Sequence, residues 1–281
     1  MVNPRDRRRA VEHLMTERGL SQRHACQLVG LARASARYQQ RPRRDEAQSV
    51  ALVRLYADEQ PMYGYRIIAA MLKHDGHRIN RKRVYRIWRQ EGLQLPRRRA
   101  PKRRYGTAAG RLQRATRPNE VWTYDFLEGR TERGGKLRML TVLDEYTREC
   151  IAIHVARSIS SQQVIHLLEW LFLLRGAPSY LRSDNGPEFI AFALQQWLRD
   201  RQCKTLYITP GSPWENPFIE SFNGTLRSEV LNRWLFADGQ EAQTIIEQWR
   251  QEYNHHRPHS SLGYLPPAVF AERAQLSLPL D

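Results

Sequence analysis

Three carboxylates stand where ordinary surface acids are not expected. Asp125 lies inside the apolar run VWTYDF (121–126), Asp184 precedes the Asn-Gly turn of SDNGPEF (183–189), and Glu220 follows a Pro-rich loop in NPFIESFNGTLR (216–227). Asp is a poor strand former. Enclosed by Trp122, Tyr124, Phe126 and Leu127, an ionised acid is costly unless it is paired or bound to metal. Acids from three separated segments that converge would offer oxygen ligands to Mg²⁺, which keeps several waters and needs few protein groups. Two such ions can stabilise the attacking and leaving oxygens of phosphoryl transfer. Next to a strongly basic segment, that chemistry points to a nuclease or strand transferase.

Each acid also has a plainer reading. Asp125 fits a structural acid paired with a neighbouring Arg, Asp184 an Asx-turn residue, and Glu220 a surface helical stripe. Against this, Asp184 closes a strand, and ligands gather at the carboxyl ends of strands in open α/β sheets. A helix beginning near Pro217 would carry an apolar stripe of Ile219, Phe222, Leu226 and Val230, with Glu220, Asn223, Gly224 and Arg227 on another face. Gly224 costs that helix about 1 kcal/mol relative to Ala, and its place between Glu220 and Arg227 suits the approach of a DNA backbone.

The elements that must position these acids are legible between residues 119 and 210. VWTYDFL (121–127), LRMLTVL (137–143) and CIAIHV (150–155) read as three consecutive antiparallel strands. SQQVIHLLEWLFLL (161–174) reads as a helix, PSYLRSD (178–184) as a strand, FIAFALQQWL (189–198) as a helix with Pro187 near its first turn, and KTLYIT (204–209) as a strand. The order implies an α/β fold with a mixed five-stranded sheet flanked by helices. The Gly- and Pro-bearing loop PGSPWENP (210–217) is a candidate mobile segment carrying Trp214 towards DNA.

Upstream, residues 7–15, 21–29 and 33–38 read as short helices, with Ser21 as an N-cap. They fit a helix-turn-helix unit or an ordinary small bundle. A second helical unit follows with YRIIAAMLK (65–73), a DGHR turn (75–78) and INRKRVYRIWRQE (79–91). There Val84, Ile87 and Trp88 face inward, while Asn80, Arg81, Lys82, Arg83, Arg86 and Arg89 suit a recognition helix in a major groove. A solvated charged face is the alternative. The run PRRRAPKRRY (96–105) cannot pack a core and reads as a basic linker along phosphates.

Charge sharpens the division. The chain of 281 residues carries a net +16. Residues 1–118 hold 29 Lys and Arg against 9 Asp and Glu, whereas residues 119–281 hold 16 against 20. Polyanion binding on one side and chemistry on the other follow from that asymmetry. No apolar stretch approaches the roughly 20 residues that span a bilayer, so no membrane partner is expected. The three cysteines, Cys26, Cys150 and Cys203, form no close pair, which fits a reducing cytoplasm and argues against a Cys-based zinc module. Asp144 and Glu145 read as turn residues, and Glu188 as a first-turn acid favoured by the helix dipole. His255, His256 and His259 lack a further ligand for zinc and are expected to contact DNA or pack on the core.

The three acids, with thirty-five residues between Asp184 and Glu220, closely resemble the DD(35)E signature of the retroviral-integrase-like DDE transposases. Arg227 occupies the basic position seven residues after the Glu. NPFIE (216–220), YNHHRPHSSLGYLPP (253–267) and MYGYR (62–66) resemble the second-reading-frame product of the insertion-sequence-three transposases, and the similarity runs over most of the chain. The resemblance implies an RNase-H-like catalytic core and cutting and joining of element ends dependent on Mg²⁺, or Mn²⁺ in its place. It implies Asp125, Asp184 and Glu220 as catalytic and metal-binding residues, with Asn216 and Arg227 positioning DNA. Its partners would be double-stranded DNA at element ends and target, further copies of the chain on DNA, and an upstream-frame product or a frameshift fusion with it. The place of action would be the cytoplasm, at the nucleoid. The expected divisions are helical units at 1–44 and 45–95, a basic linker at 96–118, the catalytic core at 119–235, and a helix and tail at 236–281 completing it. An RNase-H-like nuclease without strand joining, or a non-catalytic DNA-binding regulator, are the competing functions.

Overall fold

The computed structural model describes residues 3–38, 45–96, 114–184, 186, 192–208 and 216–276. Two compact units divide the chain, residues 1–51 and 52–281. In the first, α1 (Pro4–Thr16), α2 (Gln22–Val29) and α3 (Arg33–Ala36) close over Val11, Ala25 and Cys26. Ser21 caps α2 as expected, its side chain accepting from the His24 amide. The helix ends on Gly30 in the left-handed conformation, which glycine adopts without a Cβ penalty. α4 (Glu46–Glu59) crosses from the first unit into the second.

In the second unit, α5 (Tyr65–His74) buries Ile68, Ala69 and Leu72, and α6 (Arg81–Gln90) buries Val84, Ile87 and Trp88. That helical spacing is the one read from sequence. Asn80 caps α6 by accepting from the Lys82 amide at 2.8 Å. Tyr85 of α6 packs on Tyr65 of α5 with ring centroids 4.7 Å apart.

The sheet follows with β1 (Val121–Arg130), β2 (Lys136–Asp144), β3 (Cys150–Ala156), β4 (Tyr180–Ser183) and β5 (Lys204–Tyr207), in the spatial order β3-β2-β1-β4-β5. β1, β2 and β3 pair antiparallel, whereas β4 and β5 run parallel to β1. The expected mixed five-stranded sheet is therefore present, with β1 at its centre. α7 (Ser161–Arg175), opened by a Ser160–Gln163 capping box, and α8 (Phe192–Asp200) cover one face. α9 (Pro217–Leu226), a π-helical turn at Arg227–Leu231, and α10 (Gly239–His255) cover the other, and α11 (Pro267–Leu276) completes the unit. The described part of α8 starts at Phe192; Glu188 and the loop with Trp214 lie outside the described residues.

Strand periodicity explains the layering. Trp122 and Tyr124 point to the face packed by α7, whereas Leu127 belongs to the core under α9 and α10. Because side chains alternate, Thr123 and Asp125 fall on the α9 side with Leu127. Polar groups there need partners, and α9 supplies them.

Candidate active site

Asp125 lies in the middle of β1, opposite Thr141 of β2. Its Oδ1 accepts from the Phe126 amide at 2.8 Å, and its Oδ2 accepts from Asn223 Nδ2 at 2.9 Å. Thr141 donates its hydroxyl towards Asn223 Oδ1 at 3.0 Å and the Asp125 carbonyl at 3.1 Å. Thr123 donates to Asn216 Oδ1 at 2.6 Å. Three side-chain bonds thus join β1 and β2 to the N-cap and second turn of α9, and those made by the two threonines are buried.

Asp184 follows β4. The parallel register pairs Thr123 with Arg182, and continuing it by two residues brings Asp184 level with Asp125 at the carboxyl end of the sheet. Its Oδ1 accepts from the Gly186 amide at 3.0 Å, the Asx turn of the plainer reading of this residue. Glu220 sits exposed in the first turn of α9, one turn before Asn223. Burial pushes the Asp125 carboxyl up to about 6, and the negative charges of Asp184 and Glu220 add to the rise, against the hydrogen bonds from Phe126 and Asn223. Both acids therefore stand within electrostatic range of Asp125.

Among the described residues no three His, Cys, Asp or Glu side chains form a closed metal cage. The three acids share a field without being drawn to coordination distance. They are nonetheless an all-oxygen set of the kind Mg²⁺ takes. Burial accounts for most of the rise at Asp125, and the charges of Asp184 and Glu220 add the lesser part, which a cation would relieve.

The remaining expected contacts separate by exposure. Asn80, Arg81, Lys82 and Arg89 are exposed, while Arg83 and Arg86 are half-buried along α6. Arg227 is exposed at the start of the π-helical turn. Asn216, expected at DNA, is buried at 4% exposure because it satisfies Thr123. Helical spacing groups Asn223 with Glu220 and Gly224, yet it too is buried, turned inwards to Asp125.

Sequence reasoning missed several supports. Asp144 does accept from the Tyr146 and Thr147 amides, as a turn acid should. Glu145 instead makes a buried ion pair with Arg182 at 2.7 Å, two residues before Asp184. Glu229 in the π-helical turn accepts from Arg257 at 2.8 Å and from Trp249 Nε1 at 3.1 Å, tying the end of the Glu220 helix to α10 and the segment after it. His259 packs edge-on against Tyr253, with centroids 4.7 Å apart. Burial, with Arg257 and Arg148 nearby, pushes its pKa down to about 3. No periodic signal marks such pairs, because their partners lie far apart in the chain.

Among the described residues no helix is long and apolar enough to cross a membrane. Comparison with known proteins places this geometry. Residues 115–213 and 201–267 match two integrase core domain families, and residues 43–101 match an HTH-like domain family. A Burkholderia multivorans protein, the insertion element IS407 uncharacterized 31.7 kDa protein, is 40% identical over 257 residues, covering 90% of this chain and 91% of its own length. The transposase for insertion sequence element IS629 of Shigella sonnei is 28% identical over 243 residues, covering 83% and 81%. A chain of the simian T-cell lymphotropic virus intasome, solved in complex with PP2A regulatory subunit B56 gamma, shares the fold with a TM-score of 0.50 at 15% identity, covering 82% of this chain and 77% of its own. With the mixed sheet, the helical units ahead of it and these relatives along most of its length, the chain belongs to the insertion-sequence transposases of the retroviral-integrase-like superfamily.

Proposed function

We propose that this transposase binds the ends of its element, cuts them and joins the freed 3′-hydroxyl to target DNA, with Asp125, Asp184 and Glu220 as its catalytic carboxylates. The observation that carries the reading is the Asp125 carboxyl, raised to about 6 by burial and by the charges of the other two acids. Ionising the buried Asp125 carboxyl beside two exposed acids is costly, and a divalent cation would offset that cost. Mg²⁺, or Mn²⁺, would be held by these three side chains and would supply charge neutralisation at the attacking and leaving oxygens.

The chain's own residues perform the rest. Asn223 and Thr141 hold the Asp125 carboxylate in one orientation. Asn216 fixes the start of α9 through Thr123, so it acts from inside the protein. Arg227, Arg81, Lys82 and Arg89, with the half-buried Arg83 and Arg86 and the capping Asn80, form the proposed DNA-binding set. In the cutting step, water oxygen bonds to phosphorus as the bond from phosphorus to the 3′ oxygen breaks; a proton from the water ends on that oxygen, which leaves as a 3′-hydroxyl opposite a 5′-phosphate. In joining, that hydroxyl attacks a target phosphodiester and releases the target's own 3′-hydroxyl. Neither step needs a protein nucleophile.

The divisions at 1–44, 45–95, 96–118, 119–235 and 236–281 would then be two DNA-reading units, a basic linker, the core and its closing helices. The protein would work as a homo-oligomer on DNA in the cytoplasm, with an upstream-frame product as a further partner. The test incubates purified chain with labelled element ends, precut or intact, and Mg²⁺. Joined product from precut ends is expected, and Glu220→Gln should abolish both cutting and joining. Cutting without joining would leave a nuclease, and end processing unchanged in Glu220→Gln would overturn the carboxylate assignment.

A further inference from the structure

Three motifs have no task in the carboxylate chemistry: MYGYR (62–66), the Pro217-Phe218 start of α9, and YNHHRPHSSLGYLPP (253–267). They meet around one cavity of about 690 Å³, on the flank of the helix that carries Glu220. That volume lies in the range of sites for small organic ligands, about 300–1,000 Å³.

Its walls combine aromatic rings with cations. Tyr65, Phe218 and Tyr264 line it half-buried. The Arg148 guanidinium lies 3.4 Å from the centre of the Phe218 ring, and its Nη1 is buried without a hydrogen-bond partner. His259 Nε2 is likewise buried without one. Arg66 stands exposed on the same wall, and Ser221, Ser260 and Ser261 add hydroxyls. Arg257 is already committed to Glu229.

The backbone singles out the same place. Arg148 has φ 63° and Tyr264 φ 66°, two of the four non-glycine residues with positive φ among those described. Large side chains are disfavoured there. Turn hydrogen bonds hold both in place, the Arg148 amide donating to the Asp144 carbonyl at 2.9 Å and the Tyr264 amide to the His259 carbonyl at 2.8 Å, so each side chain leaves the backbone in a fixed direction.

We propose that the cavity bounded by Tyr65, Arg148, Phe218, His259 and Tyr264 is a binding site for one unpaired nucleotide of a DNA strand passing the catalytic helix. Rings offer a stacking surface that any base can use, and guanidinium groups meet phosphate or stack in turn. Paired bases keep their faces inside the duplex, so a ring-lined pocket selects a base that has left its stack. The inference rests on the reading of this chain as a DNA-processing enzyme and adds to it a site for single-stranded DNA distinct from the duplex-reading surface of α6.

The test is fluorescence anisotropy of the full chain, in EDTA, with a labelled oligothymidylate single strand and a blunt mixed-sequence duplex. Arg148→Gly and Tyr264→Gly retain the left-handed backbone without the side chain. Each is expected to weaken oligothymidylate binding about tenfold and to leave the duplex within roughly twofold, in keeping with the worth of a stacked base. Ser261→Trp, at an exposed rim position, should produce the same selective loss by filling the mouth. Oligothymidylate affinity unchanged in these variants, or no binding of it by the parent chain, or equal weakening of both probes, overturns the proposal. Binding is read here without cutting, so these outcomes are independent of the fate of Glu220→Gln in the cutting assay.

Discussion

Asn223 donates from its carboxamide to Oδ2 of Asp125 at 2.9 Å, across ninety-eight residues of sequence. The donor stands one helical turn beyond Glu220, and its own Oδ1 is held by Thr141. One side chain therefore ties the strand bearing one proposed catalytic acid directly to the helix bearing another, beside the Thr123–Asn216 bond at the helix start. Asn223→Asp replaces a donor by a third nearby carboxylate and raises the Asp125 pKa further by like-charge repulsion. The acidic limb of the pH profile for DNA cutting should move upwards by at least about one unit. An unmoved limb would show that the contact does not govern the site.

The Asp125 carboxyl carries a second consequence. Its folded pKa, about 6, lies above its ordinary value of 3.8. Between those values the folded state binds more protons than the unfolded state, so this group's contribution to stability falls as pH rises through the window. The total is on the order of 3 kcal/mol. Urea unfolding without metal from pH 4 to pH 7 should show that decline in the parent chain and a flatter profile in Asp125→Asn. Equal slopes would refute the assignment. Added Mg²⁺ should reverse the decline at pH 7 in the parent alone, as a ligand that binds the folded state must.

Gly224 lies on α9 one turn after Glu220, and a Cβ there would meet open space. Gly224→Ala should raise stability by about 1 kcal/mol through helix propensity. If DNA passes close to this turn, the added methyl should at the same time reduce cutting severalfold. A variant that gains stability and keeps full cutting would place the DNA elsewhere.

Arg81 and Lys82 are exposed in the first turn of α6 and make no contact that the buried face requires. Replacing both with Ala should leave thermal stability nearly unchanged. Duplex affinity should fall, and the slope of log K against log salt should decrease by roughly one per cation lost from phosphate. An unaltered salt slope would return α6 to the role of a solvated charged face.

Much of the architecture is legible in the sequence. Val84, Ile87 and Trp88 at helical spacing identified the buried face of α6. The alternation around Trp122, Tyr124 and Leu127 identified β1. Both patterns survive because burial acts on each element separately, residue by residue. The buried contacts of Asn223, Asn216 and Glu145 were not readable. Helical spacing placed Asn223 beside Glu220 and Gly224, but spacing alone does not say which neighbour will bond to a polar group. The motif at 253–267 was visible as a pattern, while its place against Tyr65, Arg148 and Phe218 was not.

By itself the sequence determined the charge division and the order of helices and strands, because these depend on local composition and periodicity, while the family resemblance singled out the three acids with their thirty-five-residue interval. Tertiary structure alone decided that Asp125 answers to Asn223, that Glu145 is buried against Arg182, and that three distant motifs enclose one cavity. Those outcomes depend on which surfaces the sheet and α9 bring together, and a pairing between residues so far apart in the chain leaves no local periodic trace.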